Sequence, residues 1–443
     1  MSAKAYLLQE CENVSDLLEK TLRHDYGLEN SRDFFDECSV RLSFITEEIR
    51  AAGENDVSTL HTWGRSLDRL AVLICRIERS SLGEYSWPFL YELKKISSAI
   101  CRESTLEEQN EEQKVYVLAE GGLASYAIDT EPNRPTASKK RLLTIVFPKS
   151  LKNFVLLHPI LGHELGHAIW RVSKHEQTLR QQVVAHLLHD GGVLQNERAT
   201  AARLFAPNSP QKFKDCLADI PHITEANIFD YFKWEAWVEE VLCDLIGLVT
   251  FGPSFVAAHC RLLYTIDPSG LFLGDEHPPV AWRVNMILAG AKLLGYDKLP
   301  SKSNARFLPT KKFWAHAKSF AKPDAWYNFL STAQLRDALN GIKTLLDSHP
   351  PASYPIPRDE QMDGLIAKLV KLVPPVGHEI TNDSSPKSFN VDFRHIIYAG
   401  WIAEHYDPQP PLKKIPFNRI NQLCEHAIMQ QQAIEITLSG AEQ

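Results

Sequence analysis

Leu161-Gly162-His163-Glu164-Leu165-Gly166-His167-Ala168-Ile169-Trp170 sets two histidines four residues apart around a glutamate, inside an apolar helical pattern. A four-residue step puts the two imidazoles about 40° apart on one helix face, where they can share a metal ion. Glu164 projects beside that face and can hydrogen-bond an attacking water without ligating the metal, which is the position a general base needs. Ile160, Leu161, Leu165, Ile169 and Trp170 surround the polar triplet with apolar side chains. Buried histidines and a buried glutamate need partners, and a metal supplies one; a chance surface helix is the plainer alternative.

A hydrolytic zinc ion wants a third protein ligand and one open position. The metzincin arrangement would place a glycine and a third histidine after His167, but those positions hold Trp170 and Ser173. His175 lies eight residues on, about 12 Å along the same helix, too far to close the sphere. The remaining source is a second helix, Trp234 to Val249, where Glu240 and Asp244 are one turn apart. Glu240 can reach the metal while Asp244 accepts the outer N–H of a ligating histidine and fixes its tautomer. Glu235 and Glu239 are rivals on the same helix; Glu240 is preferred because Asp244 is followed by Leu245, Ile246 and Leu248, a poor setting for an acid without a buried partner.

Further on, His277-Pro278-Pro279-Val280-Ala281-Trp282-Arg283 gives an HPxxxxR string at a helix start. The order HExxH, then ExxxD, then HPxxxxR resembles the gluzincin clan, in particular the family of heat-shock and CAAX-processing membrane peptidases and their soluble relatives. The resemblance spans residues 142 to 294. It implies His163, His167 and Glu240 as ligands of one zinc ion, Glu164 as base, Asp244 as orienter, and His277 and Arg283 as catalytic residues facing the cleft. A helix cap for His277 and a structural ion pair for Arg283 are the plainer roles. The chain departs from that family in having no flanking membrane spans and a long interval between His167 and Glu240.

The chain before residue 108 reads as amphipathic helices, with Leu60, Trp63, Leu67, Leu70, Leu73 and Ile74 at three- and four-residue steps and Ser15 and Ser58 as N-caps. Val115–Leu118 and Leu142–Phe147 are rich in β-branched and aromatic residues and predict strands, the second able to pair with an extended substrate. Helices are expected over about 155–172, 228–250, 253–265 and 278–294. Four prolines between 350 and 357 suggest a linker, followed by helices near 362–372, 393–405 and 420–438. The expected class is α+β, predominantly helical: a helical bundle over 1–110, a zincin-like core with a small β-sheet over 111–300, and a helical C-terminal region over 301–443.

Composition bounds the function. Apolar residues make up 44% and charged residues 23%, an ordinary folded protein. The formal charge of −7 includes no basic stripe, which argues against nucleic acid as partner. No leader pattern opens the chain and no stretch nears the roughly 18 apolar residues of a membrane span, so a cytoplasmic location and no membrane partner are expected. Eight cysteines are scattered without a CxxC pair and are expected to be reduced, buried small hydrophobes. The function these readings favour is a zinc-dependent endopeptidase acting on a protein or peptide substrate. A catalytically silent zincin-fold regulatory protein is the alternative.

Overall fold

The computed structural model describes residues 2–22, 31–79, 87–102, 115–122, 126–130, 141–151, 153–171, 202, 205–209, 211–220, 222–224, 227, 231, 233–271, 274, 276–299, 308–322, 328–377, 391–407 and 414–441. They divide into two units, one of residues 1–90 and 101–153, the other of residues 91–100 and 154–443. His175, His186 and His189 and the proline-punctuated loop at 132–140 lie outside the described residues.

In the smaller unit, helices α1 (Ala3–Leu22), α2 (Ser31–Ala51) and α3 (Val57–Arg79) pack pairwise. Their apolar stripes meet in one core of Val14, Leu18, Phe35, Ile45, Ile49, Leu67, Leu70 and Ile74. Ser15 is interior to α1 rather than a cap. At α3 the cap is Asp56, not Ser58: its carboxylate accepts from Thr59 N at 3.1 Å.

The α+β class is overturned. Among the described residues the structure is 74% helical, and the unit that carries the histidine helix is all-α. Residues 115–122, 127–130 and 141–148 pair through their backbones, but they belong to the smaller unit. Among its described residues, the unit that carries 163–283 contains no strand. β-branched runs report local preference for an extended backbone. They do not tell what will cover a helix elsewhere, and here that cover is other helices.

The larger unit takes residues 91–100 from α4 (Trp87–Arg102) and continues with α5 (Leu161–Arg171), α6 (Gln211–Ala218), α7 (Trp234–Phe251), α8 (Pro253–Ile266) and α9 (Val280–Leu293). It ends with α10 (Leu308–Ser319), α11 (Thr332–Asp347), α12 (Asp359–Val370), α13 (Phe393–Glu404) and α14 (Phe417–Ala441). α5 starts later than the hydrophobic pattern suggested. Pro159 sits in a 3-10 turn, His158–Ile160, and the regular helix begins only at Leu161.

α7 is the axis of this unit. Trp237, Val241, Leu242, Leu245, Ile246, Leu248 and Val249 are all buried, as expected of a helix that is apolar on every side. α5, α8, α9 and α11 pack around it. Gly252, at φ +61°, ends α7 by donating to Leu248 O at 2.8 Å, and a Cβ there would stand 2.6 Å from the Tyr354 ring. Pro253 then opens α8.

The prolines at 350–357 do not mark a free linker. Ala352 and Tyr354 are buried, Tyr354 N donates to Val249 O at 2.8 Å, and Arg394 Nη1 donates to Thr250 O at 2.7 Å and Ala352 O at 3.3 Å. Among the described residues no helix is long and apolar enough to cross a membrane.

Candidate metal centre

The centre forms where α5 crosses α7 at close range. Gly162 and Gly166, four apart and so on one face, make the approach possible. A Cβ on Gly166 would lie 2.6 Å from Cys243 Cα, and one on Gly162 2.8 Å from Gly247 Cα. The two glycines weaken α5 as an isolated helix, but they let its backbone press onto α7. His163 and His167 flank that contact.

Both imidazoles turn their Nε2 atoms toward the Glu240 carboxylate. His163 Nε2 is 3.4 Å from Glu240 Oε2, His167 Nε2 is 3.2 Å from Oε1, and the two Nε2 atoms are 3.2 Å apart. Bonds of about 2.0–2.1 Å around a tetrahedral ion separate neighbouring donors by roughly 3.3 Å. The three side chains are therefore spaced for one ion between them. Glu240 Oε2 is buried, and the groups that face it are His163 Nε2 and the Arg283 guanidinium. The grouping His163, His167 and Glu240 can hold a metal ion.

The outer nitrogens are engaged. His163 Nδ1 donates to Asp244 Oδ1 at 2.8 Å, and His167 Nδ1 to Glu239 Oε1 at 2.7 Å. Each carboxylate fixes its ring's tautomer and leaves the Nε2 lone pair directed inward. Glu239, a rival ligand by sequence, thus stands behind His167; the side chain of the other rival, Glu235, lies outside the described residues.

Arg283, 5% exposed, lies behind both acids. Its Nε donates to Asp244 Oδ2 at 2.8 Å, its Nη2 to Asp244 Oδ1 at 2.8 Å, and its Nη1 stands 3.0 Å from Glu240 Oε2. A guanidinium so buried and so engaged braces the two carboxylates. His277, by contrast, is 62% exposed, with Nε2 3.6 Å from Glu240 Oε1. Trp237 Nε1 donates to Gly274 O at 3.2 Å and steadies the turn that leads to it. Pro279 occupies the N-cap of α9, so the HP dipeptide delivers His277 to the rim just before the helix begins. Glu164 sits half-buried in the first turn of α5, and its charge acts on His167.

The electrostatics follow from burial and pairing. Burial lowers the His163 pKa, but the hydrogen bonds the ring donates to Asp244 and Glu240 outweigh it and push the imidazole up to about 10. For His167 the same opposition, with Glu239 and Glu240 against burial, ends at about 9. Burial favours a neutral Asp244, yet Arg283, His259 and His163 hold it well below the usual carboxylate range. Glu240 is likewise lowered, against burial, by Arg283 and the two histidines. Four carboxylates, Glu164, Glu239, Glu240 and Asp244, act on the two imidazoles, and one guanidinium, Arg283, pairs with Glu240 and Asp244. A divalent cation there offsets most of the excess negative charge, displacing the protons that the histidines otherwise hold.

Two neighbours were not singled out by sequence. His259 on α8 has Nε2 2.7 Å from Asp244 Oδ1, and Cys243 Sγ lies 3.5 Å from His167 Nδ1. His259 belongs to no short motif. Its signal was its setting, an imidazole among Phe255, Val256, Ala258, Cys260 and Leu263, which calls for a polar partner. The described cysteines 11, 38, 75, 243, 260 and 424 are free thiols.

Comparison with protein-family models, curated proteins and solved structures returns no match.

Proposed function

We propose that the chain is a metal-dependent hydrolase and, more narrowly, a zinc metallopeptidase of gluzincin type working in the cytoplasm. The observation that carries this reading is the convergence of two Nε2 atoms and one carboxylate at 3.2–3.4 Å. The donor set of two imidazoles and one carboxylate fits zinc, and three protein ligands rather than four suit a catalytic rather than a structural site. When bound, the metal would supply Lewis-acid activation of water and of the scissile carbonyl.

The residues do the rest. Glu164 takes a proton from the water as its oxygen bonds to the carbonyl carbon, then gives that proton to the amine nitrogen as the C–N bond breaks. His277, exposed beside Glu240, would donate to the carbonyl oxygen as charge builds on it, a role its nearness to Glu240 supports. Arg283 and Asp244 hold Glu240 and His163 in place. A peptide as substrate rests on the likeness of HExxH, ExxxD and HPxxxxR to the gluzincin order.

The test is metal analysis of the purified chain together with a search for cleaved cellular proteins on expression of wild type and Glu164→Gln. One zinc per chain in both, with products only from wild type, is expected. Zinc absent from both, or full metal content in Glu240→Ala, refutes the ligand set. Products unchanged in Glu164→Gln refute the base, and zinc without products from either protein favours a silent regulatory role.

A further inference from the structure

We propose that His259 is a positioning residue of the metal centre: by donating from Nε2 to Asp244 and lying flat against His163, it holds the His163 ring where its own Nε2 meets the ion. The inference rests on the metal reading above and concerns a residue outside the HExxH, ExxxD and HPxxxxR motifs.

Asp244 Oδ1 is the hub. His163 Nδ1 reaches it at 2.8 Å, His259 Nε2 at 2.7 Å and Arg283 Nη2 at 2.8 Å, while Oδ2 takes Arg283 Nε at 2.8 Å. An ionised carboxylate only accepts, so the short contact puts the His259 proton on Nε2, even though Arg283 Nη2 stands 3.2 Å from that nitrogen. His259 Nδ1 is then a bare acceptor, buried and without a hydrogen-bond partner. An apolar residue would avoid that cost, so packing alone does not account for a histidine here.

The ring geometry completes the case. His259 lies between Phe255, at 4.6 Å and 17°, and His163, at 5.1 Å and 25°. The stack fixes the plane of the His163 ring, and the shared oxygen fixes its rotation within that plane. Ligand histidines lose affinity for metal when such outer support is removed.

The experiment uses the full chain and zinc alone as probe, in competition with a chromogenic chelator, with thermal melting of the metal-free proteins alongside. His259→Phe keeps the stack and removes the donor; His259→Gln removes the ring and places an amide N–H near the old Nε2. Zinc affinity is expected to fall at least about tenfold in H259F while its melt stays near wild type, and to recover part of that loss in H259Q, which restores the donor but not the stack. Wild-type affinity in H259F overturns the proposal, as does an equal loss in both variants that tracks their melting. If H259F does not fold, His259→Asn, whose shorter amide falls short of Asp244, is compared with H259Q by the same rule. Wild type that takes up no zinc overturns the metal reading and this inference with it; zinc-binding wild type with indifferent variants overturns only the inference.

Discussion

Glu239 and Glu240 are adjacent on α7 yet address different atoms of the same imidazole, Nδ1 and Nε2 of His167. Replacing Glu239 by Ala leaves Nδ1 with only the weak Cys243 thiol at 3.5 Å. Zinc affinity is expected to drop about 10- to 100-fold in Glu239→Ala and less in Glu239→Gln, whose amide oxygen still accepts; chelator competition reads both. The histidine pair and Glu164 were legible because their relation is local, set by 3.6 residues per turn. The neighbouring acids were harder. The one-turn step from Glu240 to Asp244 named a shared face, but nothing in a single helix said that Glu239 would meet the far side of His167. His259 is the limiting case, since only the tertiary approach of α8 brings it to Asp244.

At the scale of elements, the decisive contact is α5 on α7, and it depends on an absent side chain. Gly166→Ala would set a Cβ 2.6 Å from Cys243 Cα and force the helices apart. A loss of about 1–3 kcal/mol is expected, together with weakened zinc uptake even though no ligand has changed; denaturant melts and metal titration check the two halves separately. By propensity alone the glycines were flaws in the helix, and their purpose appears only with the partner in place.

A second element-scale prediction concerns α13. Asp392 caps it by accepting from Arg394 N at 2.9 Å and also binds the Arg394 side chain at 2.8 Å and 2.7 Å. Burial would raise its pKa, but Arg394 holds it below the ordinary value of 3.8. The charge therefore adds stability that is fully present above that value and is lost as pH falls through the lower, folded value. Asp392→Asn keeps a good cap yet leaves the buried Arg394 without its counter-charge, at a cost of about 3 kcal/mol near neutral pH. The gap between the two proteins in denaturant melts should close progressively below pH 3.8; a gap independent of pH refutes the assignment.

For the molecule as a whole, helix-period patterns identified most of the long helices, since each lays an apolar stripe on a core. The fold class was misread because two runs of β-branched residues suggested a sheet against the histidine helix. What covers that helix is α7, drawn from seventy residues away in the chain, and no local pattern encodes that choice. Among the described residues, the proline segment was misread for a related reason. Rigid, poorly helical residues look like a spacer, but Tyr354 and Ala352 are packed against the end of α7.

That docking has a practical consequence. The helix presenting Glu240 is clothed by α11 and pinned at its last turn by the backbone of Tyr354 and the guanidinium of Arg394. A fragment trimmed near residue 300 would strip grease-coated flanks bare, and its failure to take up zinc would say nothing about the intact molecule.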